Sequence, residues 1–237
     1  MATSVHVAPV DRRLYAWAAV FIPIIVFIGF ARSYYLKALF HTPALPGPLV
    51  HLHGIVMTLW VVLFIAQVSL IASHHTRVHQ RVGLLGVILA ALIVVVGIAT
   101  AISVGARGAS AGHPEALKFL VVPLGDILVF AIPVAAALYF RRRPEIHKRL
   151  MLLGALALLD PAIARIPLGF IERGGPLVFY GLTDVFIIGC AVYDTIKNRR
   201  LNPVFGWGIP LIIASQPLRL MLADTDAWIR FASWLVR

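Results

Sequence analysis

Val50–Ala72 reads VHLHGIVMTLWVVLFIAQVSLIA, a run without a single Asp, Glu, Lys or Arg. A helix of about 20 apolar residues crosses the roughly 30 Å hydrocarbon core of a bilayer. This stretch is therefore read as a membrane helix. Six more runs of the same kind follow or precede it: Leu14–Tyr34, Val82–Val104, Phe119–Phe140, Leu150–Leu168, Leu177–Ile196 and Val204–Ala223. The composition agrees. Of the 237 residues 60% are hydrophobic and 13% charged, against about 25% charged in soluble domains. The expectation is an all-α polytopic bundle of about seven transmembrane helices over residues 14–223, after a segment 1–13 without a cleavable signal peptide. The tail 224–237 is too short and polar to span. Its Trp228, Phe231, Trp234 and Leu235 recur near helical spacing, which predicts an interfacial amphipathic helix.

The formal net charge is +11. In a soluble chain that would suggest nucleic acid. Here the bases sit in short loops between apolar runs, so the partner they imply is the lipid bilayer. Arg12, Arg13, Arg77, Arg81, Arg141, Arg142, Arg143, Lys148, Arg149, Lys197, Arg199 and Arg200 all fall on the side of the N-terminus. The positive-inside rule makes that side cytoplasmic, and seven spans then place the C-terminus in the periplasm. The lone Cys190 lies inside an apolar run and says nothing of redox compartment.

Two helix entrances are nearly alike. HQRVGLLG runs from His79 to Gly86, and HKRLMLLG from His147 to Gly154. Two spans separate them, so both open on the cytoplasmic surface. Residues 50–104 and 119–168 thus form a weak parallel two-helix repeat. Two readings of the histidines stand: interfacial anchors near lipid phosphates, or axial ligands of a haem b whose propionates meet the neighbouring Arg and Lys.

Intramembrane charges are rare and default to functional hypotheses. Asp126, Asp160 and Asp184 lie at similar depth from the outer ends of their segments, with Arg165 and Arg219 toward the same side. His53 joins them. It shares a helix face with Met57, Trp60 and Gln67, whereas His51 points elsewhere and is expected at the interface. Pro161 removes a ladder donor and frees the carbonyl of Ala157. The expected outer cup therefore holds His53, Asp126, Asp160, Asp184, Arg165 and Arg219. Internal ion pairing is one account of it. The acid in excess motivates the other: a ligand, a proton, or a divalent metal on His53 and Asp160. Zinc-motif spacing, a Ser-His-Asp arrangement and a glycine-rich phosphate loop are all missing from the sequence.

The stretches RSYYLKALF, VHLHGIVMTLWVVLFIAQ, VHQRVGLLG, VPLGDILVF and RRRPEIHKRLMLLGALALLDPAIAR resemble those of a group of uncharacterised bacterial multi-pass inner-membrane proteins. They cover most of residues 32–165. The HKRLM entrance is also similar to that of small membrane proteins associated with cytochrome oxidase assembly, which implies a haem or copper connection and a respiratory-complex partner. The chain departs from rhodopsins, since the seventh span has no lysine. It departs from ceramidase-type zinc hydrolases, since that span has no histidine pair. The leading expectation is a haem- or metal-associated protein of respiratory redox or oxidase assembly. The alternatives are a membrane-embedded metal-dependent hydrolase and a proton-coupled small-molecule carrier.

Overall fold

The computed structural model describes residues 9–113 and 115–237. These residues are all-helical, with no strand among them. The chain runs through α1 (Pro9–Phe30), a π-helical extension (Ala31–Tyr35), α2 (Pro48–Ala72), α3 (Thr76–Ser110), α4 (Glu115–Phe119) and α5 (Val121–Tyr139). It continues through α6 (Pro144–Ala157), α7 (Asp160–Ile163), α8 (Gly169–Asn198), α9 (Pro203–Ala223) and α10 (Asp226–Leu235). In lipid the backbone must satisfy its own hydrogen bonds, which apolar runs of this length do as helices. α2, α6 and α9 each begin at a proline, the position where a missing N–H costs nothing.

Six helical stretches are long and apolar enough to cross a membrane: Arg13–Tyr35, Pro48–Ala72, Thr76–Ser110, Glu115–Tyr139, Gly169–Asn198 and Pro203–Ala223. Their outer surfaces carry exposed Leu84, Val95, Ile132, Leu177, Trp207 and Met221, while Asp126, Arg149, Asp160, Asp194, Gln216 and Arg219 are buried. Apolar outside and polar inside is the arrangement that a lipid solvent favours.

The expected fifth span, Leu150–Leu168, is not one continuous helix. α6 ends at Ala157, α7 starts at Asp160 and lasts four residues. Pro161 is the reason: its ring would clash with the carbonyl four residues back, that of Ala157. The expected sixth span starts earlier than Leu177 and is kinked at Gly175, just before Pro176. The expected third span is longer, 35 residues rather than Val82–Val104. The first begins at Pro9, so residues 9–13 of the expected N-terminal segment are helical, and residues 1–8 lie outside the described residues.

α1 fixes where the broken pair sits. The Lys148 ammonium lies 6.0 Å from the Tyr15 ring centroid. Fourteen residues further along both segments, Gly29 packs against the carbonyl of Ala162 so closely that a Cβ would overlap it. The pair α6–α7 therefore runs alongside α1 and in the same direction. α10 is capped by Thr225 and buries Trp228 and Ala232, with the Trp228 indole donating to the carbonyl of Leu117 at 2.9 Å.

Candidate functional site: a polar centre at a broken helix

Gly125 and Asp126 sit side by side on the first turns of α5. The missing side chain at Gly125 leaves the space that Arg219 fills; a Cβ there would overlap the Arg219 side chain. Arg219 reaches from α9 to form an ion pair with Asp126, both buried. Its Nε donates to the Ser215 carbonyl at 3.2 Å, and its guanidinium lies 5.0 Å from the Tyr180 ring centroid. One arginine is thus fixed by a carboxylate, a carbonyl and an aromatic face, a combination that its planar fork permits.

Asp160 lies next to this pair, at the helix break, and is 3% exposed. The charges of Asp126, Arg219 and Asp184 reach it, and Thr183 on α8 lies beside it, its hydroxyl donating to the Phe179 carbonyl at 3.0 Å. Among the described residues the Asp160 Oδ1 has no partner, nor does the Tyr180 hydroxyl, which is buried in the same neighbourhood. Asp184 is half-buried and accepts from the Gln216 amide at 2.8 Å. Neutral Gln216 therefore takes the place of a cation there.

Arg165 does not neutralise an acid directly. Its Nη1 donates to the Pro161 carbonyl at 2.7 Å, and the exposed guanidinium lies 5.0 Å from the Phe30 ring centroid. From there its charge reaches both Asp126 and His53. His53 is half-buried with an unpartnered Nδ1, and His51 is exposed. Of the six residues expected in the outer cup, Asp126 and Arg219 pair directly, and His53, Arg165, Asp160 and Asp184 are linked to that pair or to one another by charge at longer range. A single arginine, Arg219, makes a direct ion pair in it among the described residues.

The donor chemistry does not favour a metal. Among the described residues no group of three or more His, Cys, Asp or Glu side chains converges as a metal ion would need. Nothing among the described residues brings His53 and Asp160 together with a third donor. The twin histidines do meet, with ring centroids 6.4 Å apart at 85°. His147 Nδ1 faces the Ala137 carbonyl at 2.9 Å, so it donates and leaves Nε2 free. His79 differs. The Gln67 amide orientation that satisfies its surroundings accepts from the Gly83 N–H at 3.0 Å and donates to His79 Nδ1 at 2.6 Å. Neutral His79 then carries its proton on Nε2. A ligating histidine normally donates its other N–H to an acceptor. His147 fits that pattern and His79 does not, so the pair does not suit bis-histidine haem.

The sequence reading missed a second buried charge cluster at the opposite end. Arg149 Nη2 pairs with Asp194 at 2.8 Å and its Nη1 with Glu145 at 2.6 Å. By sequence Arg149 groups with the cytoplasmic bases. The available signal was helical spacing: Asp194 follows Thr183, Ile187 and Ala191 on the buried stripe of α8.

No family model, curated protein or solved structure matches the chain.

Proposed function

We propose that the chain is a proton-coupled carrier of the bacterial cytoplasmic membrane, with Asp160 as its coupling carboxylate. The observation that carries this reading is the partnerless Oδ1 of a buried acid at a break in a membrane helix. An interrupted helix at membrane depth is tolerated where it lines a site, and helices interrupted in this way form the substrate and ion sites of carriers. Arg219 is already committed to Asp126, so Asp160 meets its charge by holding a proton or a cationic solute. Exchange of one for the other is coupling.

The broken pair α6–α7 is the fifth of seven crossings in this reading, because it runs alongside α1 over the same stretch. The basic loops and the N-terminus are then cytoplasmic, the C-terminus periplasmic, α10 lies at the interface, and Arg165 marks a periplasmic mouth. The respiratory haem reading loses support with His79, and the hydrolase reading with the missing third metal donor.

Vesicles holding the purified chain and a pH-sensitive dye test the proposal. A panel of organic cations, organic anions and sugars is added outside. At least one class should move protons, and Asp160→Asn should abolish the movement while folded yield stays. Proton movement that survives Asp160→Asn would remove the reading, and a Soret band in the purified chain would return the haem one.

A further inference from the structure

An apolar groove opens on the flank of the bundle and ends at the helix break. α1 forms one wall with Leu14, Phe21 and Ile25, α8 the other with Phe186 and Cys190, and Leu159 closes the head end. Phe21 and Phe186 are exposed, so the groove faces the bilayer. Leu159 is bonded to Asp160. On α8, Phe186 and Cys190 continue one and two turns beyond Thr183, the neighbour of Asp160. The groove and the acid with the unpartnered Oδ1 are therefore consecutive along two separate elements.

The groove runs from Leu14 to Ile25 on α1, about 16 Å at 1.5 Å per residue. That is the length of a lipid-like tail and far more than a small solute needs. Its walls are apolar apart from the Cys190 thiol and the Trp17 indole, while its head end stops at Leu159, the residue before buried Asp160, whose Oδ1 has no partner among the described residues. A bulk lipid with a phosphate head fits the walls but not the acid. A hydrophobic amine fits both.

Resting on the carrier reading, we infer that the substrate is a long-chain amphiphile with a cationic amine head, entering sideways from the bilayer. Its tail lies between α1 and α8 and its ammonium pairs with Asp160. Asp160 is 3% exposed here, so this is the closed state of the path. The break at Leu158–Leu159 is the hinge that opens it, since there the helical ladder slips from four-residue to three-residue spacing, with the Leu159 N–H donating to the Leu156 carbonyl at 3.0 Å.

The test is photo-affinity labelling of the full chain in phosphatidylcholine nanodiscs. The probes are dodecylamine, dodecanoic acid and dodecanol, each with a diazirine in the tail. The amine should label the α1 peptide around Phe21 or the α8 peptide around Phe186, saturably, with competition by unlabelled dodecylamine. The acid and the alcohol should label weakly and without saturation. Asp160→Asn should weaken amine labelling roughly tenfold or more. Head-group selectivity in the wild-type chain gives the answer even if that variant folds poorly. Equal, unsaturable labelling by all three probes would overturn the inference, as would amine labelling that Asp160→Asn leaves unchanged. If protons still move through Asp160 in the vesicle assay while the amine shows no preference, the carrier stands and only the amphiphile falls.

Discussion

The guanidinium of Arg149 and the carboxylate of Asp194 meet in a forked ion pair, with Nε 3.2 and 3.1 Å from the two carboxylate oxygens and Nη2 2.8 Å from one of them. Arg149 is 2% exposed and Asp194 1%. The pair ties the start of α6 to the end of α8, at the opposite end of the bundle from Asp126 and Arg219.

Removing one member of such a pair leaves a buried charge alone, at a cost of about 3–5 kcal/mol. Arg149→Met is therefore expected to lower the melting temperature in detergent sharply. The double variant Arg149→Met, Asp194→Leu should recover most of the loss, because apolar replacement of both partners is often neutral. A double variant as unstable as the single one would show that the two charges are not coupled.

Asp126 and Asp160 should respond oppositely to the same change. Asp126→Asn strands Arg219, again at about 3–5 kcal/mol. Asp160→Asn strands no charge, since no cation among the described residues pairs with it, and its melting temperature should stay at or above that of the wild type. Thermal scans of the two purified variants decide this. A large fall for Asp160→Asn would mean that its carboxylate holds the bundle together.

Topology depends on the broken pair. If α6–α7 cross the membrane, reporters fused at residue 143 and at the C-terminus will register opposite sides. If only the six long stretches cross, both will register the same side. The second outcome would remove the seven-crossing arrangement and the periplasmic mouth at Arg165 with it.

The helical bundle was legible because lipid imposes one rule on every residue of a span, so composition alone marks α1, α2 and α9. The Asp126–Arg219 neighbourhood was legible for a related reason: acids are so costly in that solvent that each one stands out. Arg149 was not, because a base near a helix entrance satisfies the topological rule equally well whether it faces lipid headgroups or Asp194. Pro161 was recognised as a disturbance, but a kink and a full stop follow from the same ring. Packing against α1 decides between them, through Gly29 and Ala162, and that contact joins residues too far apart in sequence for periodicity to reveal. The twin histidines share a motif yet differ in tautomer, because one ring answers to Gln67 and the other to the Ala137 carbonyl.

The 35 residues of α3 measure about 52 Å, against a hydrocarbon core of about 30 Å. The surplus must be absorbed by tilt or by an end that protrudes. Toward its C-terminal end Gly105 is packed against Leu120 and Val236, and two turns earlier Gly97 is packed against Ile127, the residue after Asp126. Tilting α3 therefore drags on the segment that holds the Asp126–Arg219 pair. Bilayer thickness becomes an input to the polar centre, and the same chain placed in thin and thick membranes will hold that pair under different mechanical load.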